Sequence, residues 1–362
     1  MRVLFLSNEH QKSGTAYHYR LEQLSEILRQ QGIHTGFLSL RDEPFGRPIL
    51  LQPLNWVFVR RRVADWDFIH AGGHAAYSAA FFKQFSRAWV IHDVHGDGTS
   101  EAQLKRAAGG SWLSAHELLQ ARIADAVTYR YSDFFLVVSR PSLQKLITEK
   151  RIPASRIGLI RNGVDLEPLN PPSHAPASHF VVGYAGGFQP WQGIDNLVKA
   201  IELLPGNGIR LKIIGFTERH AALRGEISKR LGDRAELIGR VSQTELGSHL
   251  SSAQVLVIPR LPHPAVAVAF PTKFSQYLAL GKPVIVSEVD ETAALVREHR
   301  CGLVSSPSPP ALAGAIRLAA GMTQEVLGQM GQNGRRLAEQ ELSWNEIGRK
   351  YVELLVRWSG RQ

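Results

Sequence analysis

Four stretches carry residue types at spacings that could do chemistry. The stretch "AFPTKFSQYLALGKPVIVS", residues 269–287, reads as a loop, a short amphipathic helix, a Gly-Lys-Pro turn and a buried strand. Phe270, Pro271, Thr272 and Lys273 stand at the helix start, where the first N–H groups are orphan donors at the positive end of a dipole. A hydroxyl and an ammonium beside such donors suit a diphosphate. Gln276 follows one turn later, within reach of a ribose. A carboxylate there would grip ribose hydroxyls, and an amide can still donate and accept as a neutral partner.

The second stretch, "GYAGGFQPWQGIDNLVKAIELL" (183–204), ends a strand in Gly186-Gly187, turns through Pro-Trp-Gln192, and enters a helix near Gly193. Paired glycines let a ligand approach the backbone closely. The third, "VIHDVHGDG" (90–98), follows a strand. His92, preferred here over His95, can donate to a sugar hydroxyl when neutral; Asp93 can accept from one, or serve only to orient the loop. The fourth, "SNEHQKSGTAYHYR", has Gly14 between Ser13 and Thr15 and could bring backbone N–H groups to an anion. It lacks G-x-G-x-x-G, so the dinucleotide fingerprint fails. Each stretch also has a plainer reading as a capped helix or a tight turn. No Ser/His/Asp ordering points to a nucleophile, and no Cys/His cluster has zinc spacing.

The elements that must position these residues repeat. "RVLFLS", "HTGFLSL", "DFIHAG", "AWVIHD" and "FFLVVS" are apolar strands separated by helical stretches, and "RIGLIRNGVD" closes this half. The helix "AYHYRLEQLSEILRQQG" (16–32) puts Tyr19, Leu21, Leu24, Ile27 and Leu28 on one stripe and stops at Gly32. Residues 168–179, "PLNPPSHAPASH", hold four prolines and read as a linker. The alternation then restarts with "FVVGYAG", "RLKIIG", "AELIG", "QVLVIP", "PVIVS" and "GLVSS". Two α/β domains are expected, each a doubly wound parallel sheet. Their boundaries are placed at 1–170 and 171–344, with a terminal helix at about 345–362 crossing back to the first. That helix has Ser343 as N-cap and Trp344, Ile347, Tyr351, Leu354 and Leu355 as its stripe. Ligands of such sheets sit at the strands' carboxyl ends, so a cleft between the domains is the natural place for one.

The 362 residues are 44% hydrophobic and 20% charged, the balance of a water-soluble globular protein, with no apolar run near a membrane span. One cysteine, Cys301, excludes an internal disulfide, is consistent with a reducing, cytoplasmic compartment, and reads as a core thiol beside Gly302-Leu303-Val304. The net charge of +10 is spread over both halves, densest at Arg60-Arg61-Arg62. Such an excess suits an anionic small ligand, an anionic membrane or nucleic acid; with no recognition motif and no basic tail, nucleic acid ranks last. "LNWVFVRRRV" and "YSAAFFKQFSR" put Trp56, Phe58, Phe81 and Phe82 beside positive charge, as candidates for acceptor or peripheral membrane contact or as core helices with basic rims.

Taken in order, "DFIHAGG", "IHDVHG", "LVVSRPSLQKLI", "IRNGVDLEPLN", "GYAGGFQPWQGIDNLVKAI", "LKIIG", "ELIGRVSQTEL", "QVLVIPRL", "FPTKFSQYLALGKPVIVS" and "CGLVSSPSPPALAGAI" resemble the retaining glycosyltransferases of family four, which have the GT-B fold. The resemblance spans nearly the whole chain. It implies a nucleotide-diphosphate sugar donor, UDP- or GDP-linked, held mainly by the second domain, and a glycan or lipid-linked acceptor held mainly by the first. It implies metal-independent transfer with no cofactor, in which the leaving phosphate helps to deprotonate the acceptor. By the same resemblance Gly14, Gly186, Gly187, Gln192, Arg240, Phe270 to Lys273 and Gln276 face the donor, and His92 and Asp93 the reacting centre. Two family features are altered, at four positions. The family's Glu pair falls at Val268 and Gln276, and its Arg and Lys on the glycine loop fall at Gly187 and Gln192. Lys273 supplies part of the missing charge, with Arg240 or Arg260 as further sources. A non-catalytic or partner-dependent relative that binds a sugar nucleotide weakly is the alternative.

Overall fold

A computed structural model describes residues 1–8, 16–44, 49–95, 112–169, 179–206 and 208–360. The chain divides into two compact units, Met1–Arg161 with Ile347–Gln362, and Asn162–Glu346. The proline-rich stretch read as a linker lies mostly outside the described residues, as does Gly14.

The first unit is built on a six-stranded sheet in the order β2-β1-β3-β4-β5-β6. Its strands are β1 Arg2–Ser7, β2 His34–Ser39, β3 Phe68–Gly72, β4 Trp89–Val94, β5 Phe134–Val137 and β6 Ile157–Leu159. Every pairing is parallel. Strands β3 and β5 are buried at every residue, which is why they read as unbroken apolar runs rather than alternations: helices cover both faces. The first helix, Ala16–Gln30, buries Leu21, Leu24, Ile27 and Leu28 as expected, and Gly32 follows at φ 73°. The stripe differs at one point. Tyr19 is partly exposed while Arg20 is buried, because its guanidinium has charged and carbonyl partners inside the sheet's end.

The last helix, Trp344–Ser359, begins as expected, with Glu346 N donating to Ser343 Oγ at 3.3 Å. From Ile347 on it belongs to the first unit. Tyr351 and Leu355 are buried there, and Trp358, beyond the predicted stripe, stacks on Phe134 with ring centroids 4.4 Å apart. Leu354 packs so tightly over Gly158 that a Cβ there would meet its Cδ1 at 2.3 Å.

The second unit repeats the plan with β7 Phe180–Ala185, β8 Ile209–Phe216, β9 Ala235–Gly239, β10 Val255–Ile258, β11 Val284–Ser287 and β12 Gly302–Ser305. The parallel order is β12-β11-β10-β7-β8-β9, so the winding direction reverses between β7 and β10. In such sheets the carboxyl ends of the two strands at the reversal leave a crevice for a ligand. The core under that point includes Val182, Tyr184, Leu211, Ile213, Val255 and Val257.

Cys301 is fully buried, and burial pushes its thiol up to about 12. Among the described residues no helix is long and apolar enough to cross a membrane. Around the arginine run, Leu51, Leu54, Val57 and Phe58 are exposed, as are Arg60, Arg61 and Arg62. Of the aromatics grouped with them from sequence, Phe82 is instead fully buried in the core of its helix, and Trp56 and Phe81 are partly buried.

Candidate functional site

The switch point of the second sheet gathers the glycine loop and the Lys273 helix. Gly186 leaves β7 at φ 141°, and a Cβ on it would stand 2.7 Å from Lys273 Nζ. Its conformation favours glycine, and any side chain would also displace the Lys273 ammonium. Gly187 needs no such freedom, since a Cβ there would meet only the flexible Gln189 side chain. Gly193 is the tightest point of the loop: it sits at φ 71°, and a Cβ would lie 1.8 Å from the Pro259 carbonyl oxygen, on the segment leaving β10. The loop is thereby pressed against the second strand of the reversal.

The Thr272–Ala279 helix crosses from β10 to β11 and starts behind Pro271, which offers no side-chain cap. Its approach is fixed by a small polar clasp. Asn162 Nδ2 donates to the Phe270 carbonyl at 2.7 Å, and Ser275 Oγ donates to the Asn162 carbonyl at 2.8 Å. Phe270 itself is buried edge-to-face on Phe274, so its side chain anchors the loop in the core. Tyr277 ties the helix to the end of β7: its hydroxyl accepts from Ala185 N at 2.7 Å and donates to Ala185 O at 3.2 Å.

These ties set Lys273. Its Nζ donates to Tyr184 Oη at 2.8 Å and to Gln192 Oε1 at 3.0 Å, and lies 4.1 Å from the centre of the Tyr184 ring. Both acceptors are uncharged, and an ammonium has three N–H groups, so one remains for a ligand oxygen. Burial, and secondarily the nearby Arg260, hold the Lys273 pKa well below the usual lysine range. Arg260 is neutralised by Asp290, Nη1 to Oδ2 at 2.6 Å, both nearly fully buried. Thus Gly186, Gly187, Gln192 and Lys273 come together around one cation. Thr272 and Gln276, both partly exposed, share the helix of Lys273, with Gln276 three residues beyond it. Arg240 does not join them; it follows β9, two strands from β7, exposes its guanidinium, and bonds through its backbone N–H to Phe216 O. Val268, at the other position where the family has Glu, is buried.

The sequence reading missed Tyr184, Asn162 and Ser275. Tyr184 looks like an ordinary strand aromatic in "FVVGYAG"; only its single polar atom beside Gly186 hinted at more.

In the first unit, β4 sends His92 and Asp93 to opposite faces. His92 packs against Tyr129 and Phe135, with ring centroids 5.3 and 5.9 Å away. Burial pulls its pKa down to about 3, so the imidazole is neutral, and among the described residues its Nδ1 has no hydrogen-bond partner. Asp93 lies at the centre of a buried cluster. Arg20 grips it with Nε and Nη2 at 3.1 and 3.3 Å, and donates onward to the carbonyls of Arg161 and Ile160. His70 Nε2 stands 2.9 Å from Asp93 Oδ2, and its Nδ1 is 2.6 Å from Tyr351 Oη on the last helix. Burial alone would raise the Asp93 pKa, but Arg20 and the histidines hold it well below the usual carboxylate range. His95 Nε2 lies 2.8 Å from the same carboxylate oxygen, with a quarter of its side chain exposed. Among the described residues, His95 is thus the partner of Asp93 that reaches the surface. Neither Arg20 nor His70 was legible as part of this site: Arg20 is one polar residue among many on an amphipathic helix, and His70 sits within an otherwise apolar strand.

Comparison with known proteins follows the same two-unit division. The sequence profile "Glycosyltransferase Family 4" matches residues 15–168, and "Glycosyl transferases group 1" matches residues 179–320. The chain is 25% identical over 187 residues to the D-inositol 3-phosphate glycosyltransferase of Mycobacteroides abscessus, a match covering 48% of this chain and 41% of that protein. It is 22% identical over 278 residues to the MMP alpha-(1->4)-mannosyltransferase of Mycolicibacterium hassiacum, covering 73% of this chain and 64% of that one. The matches thus span about half of these curated relatives' length. In fold, it is similar to the sucrose-phosphate synthase of Thermosynechococcus elongatus, with a TM-score of 0.81 at 19% identity over the whole of both chains. HepE of Anabaena, solved with UDP-glucose, gives a TM-score of 0.74 at 19% identity, over 98% of this chain and 99% of that one. With profiles matching both units, each built on a six-stranded parallel sheet, and a fold similar to these GT-B structures, the chain belongs to the family-four glycosyltransferases.

Proposed function

We propose that this protein transfers a sugar from a nucleotide-diphosphate donor to a hydroxyl acceptor with retention of anomeric configuration. The observation that carries the reading is the Lys273 ammonium, set on the glycine loop at the switch point with only neutral hydrogen-bond partners among the described residues. A cation so placed lacks a counter-charge, and a diphosphate supplies one. As the glycosidic bond to the diphosphate breaks, negative charge grows on the leaving oxygen. Lys273 and the orphan N–H groups of Thr272 and Lys273 then stabilise that charge more than they stabilise the bound donor. Gln276 serves the ribose as a neutral partner. A charge-assisted hydrogen bond contributes roughly 1.5–3 kcal/mol and a neutral one about 1, so donor affinity here rests on the diphosphate. UDP is the first base to test, since HepE binds UDP-glucose, with GDP second.

On the acceptor side, Asp93 orders the β4 exit through His95, and the buried, neutral His92 backs that strand end against Tyr129 and Phe135. The acceptor is a glycan or a lipid-linked hydroxyl. For the latter we extend the proposal to an anionic membrane surface: Leu51, Leu54, Val57 and Phe58 are exposed beside Arg60 and Arg61, apolar bulk next to cations. Thermal shift against UDP-, GDP-, ADP- and dTDP-sugars, followed by an assay of slow donor hydrolysis, tests the transfer reading. Stabilisation with hydrolysis supports it; binding without turnover on any acceptor favours a non-catalytic relative; no response to any nucleotide overturns it. Cosedimentation with vesicles of phosphatidylcholine, with and without phosphatidylglycerol, tests the membrane contact. Binding confined to the anionic vesicles and lost in Arg60→Glu/Arg61→Glu is expected, and equal binding to both or to neither rejects it.

A further inference from the structure

We propose that Tyr184 is a positioning residue of the donor site, whose hydroxyl fixes the Lys273 ammonium and the glycine loop at one point for the donor's diphosphate. This rests on the donor reading above and adds a residue that touches no ligand. The Tyr184 ring is fully buried in the core of the second unit, among Val182 on its own strand and Ile213 and Val257 on the two neighbouring strands. A ring held that way has little freedom, so its hydroxyl is at a fixed place. The hydroxyl makes both bonds it is capable of making. It donates to the Gly187 carbonyl at 2.5 Å and accepts from Lys273 Nζ at 2.8 Å. One atom therefore pins the backbone of the loop and the side chain of the helix together.

The geometry excludes the obvious substitutes. Among the described residues the other acceptor of Lys273 is Gln192, the last residue of the Pro190–Gln192 turn that follows β7. Arg260, the second cation of the cluster, is tied to Asp290 and cannot move to the loop without leaving that carboxylate buried and unpaired. Without the Tyr184 hydroxyl the lysine keeps the ring face and a flexible amide, and the Gly187 carbonyl, on an exposed residue, turns to water. The ring remains, so the core is unchanged.

The test is Tyr184→Phe, measured by calorimetric titration with the nucleoside diphosphate that binds the wild-type chain and with its parent nucleoside. The expected result is a loss of about tenfold in diphosphate affinity, with nucleoside affinity unchanged, and an unaltered melting profile. Lys273→Met is expected to lose more, and adding Tyr184→Phe to it is expected to cost less than Tyr184→Phe costs alone, because part of what the hydroxyl does runs through the ammonium. Equal losses for diphosphate and nucleoside, no loss at all, or additive effects in the double variant would each overturn the proposal. If the wild-type chain binds no nucleoside diphosphate, the donor reading falls first and this inference with it.

Discussion

Replacing Asp93 with Asn removes the charge at the centre of the first unit's polar cluster while keeping its shape. Arg20 and Asp93 expose 1% and 0% of their side chains, so the guanidinium stays out of water after the substitution. Stranding one member of a buried ion pair costs about 3–5 kcal/mol. Arg20 retains two carbonyl acceptors, Arg161 O at 2.7 Å and Ile160 O at 2.9 Å, which places the expected loss near the lower end, about 3 kcal/mol. His70 loses its charged partner as well, which loosens the hold of Tyr351 and the last helix. The two units need not unfold together, so one melting temperature is a poor measure. Urea titration with amide exchange followed on β4 and on the last helix reads the first unit directly. Both segments should lose protection together. Arg20→Met with Asp93→Asn should lose less than the sum of the single changes, since no charge is left stranded. A loss under about 1 kcal/mol, or strict additivity, would refute the claim that this pair organises the unit. The same pair gives a pH dependence: Asp93 is depressed in the folded state, so its contribution is present above the ordinary carboxylate range and is lost as pH falls through the folded value.

Other outcomes follow from the second unit. Lys273→Ala should weaken nucleoside diphosphate binding more than Gln276→Ala does; the reverse order, seen by calorimetry, would mean that the ribose contact dominates. Lys273 is depressed by burial and by Arg260, and the groups around it are Tyr184, Gln192 and the Arg260–Asp290 pair, so an arriving diphosphate should raise its pKa. Binding then takes up a proton and weakens as pH rises toward the ordinary lysine range, visible as a buffer-dependent binding enthalpy. Gly193→Ala forces a Cβ to within 1.8 Å of the Pro259 oxygen at φ 71°, and should cost more than about 2 kcal/mol in denaturation of the second unit. Cys301, with its thiol pushed up to about 12, should resist an aromatic disulfide reagent in the native state and react once urea exposes it.

The strands were legible because parallel strands covered on both faces must be apolar throughout; "FFLVV" has no other use in a water-exposed chain. The glycine loop and the Lys273 helix were legible because they combine Gly, Thr and Lys next to strand ends, where doubly wound sheets bind ligands. What sequence could not give were the long-range polar pairings. Arg20 and Asp93 are 73 residues apart and Lys273 and Tyr184 are 89 apart, and nothing local marks either pair. The helical stripe assigned Tyr19 to the core by period alone, where a charged neighbour with the right partner displaced it. Trp358 lay inside the expected terminal helix but was left off its stripe, although it follows Leu354 and Leu355 on the same face.

The most direct test of the central claim is the anomeric configuration of the sugar released when the protein, with no added metal, hydrolyses its preferred nucleotide sugar, followed by proton resonance before mutarotation. The account predicts a first-formed sugar with the configuration of the donor, lost in Lys273→Ala. An inverted sugar, or release at the wild-type rate by Lys273→Ala, would contradict it.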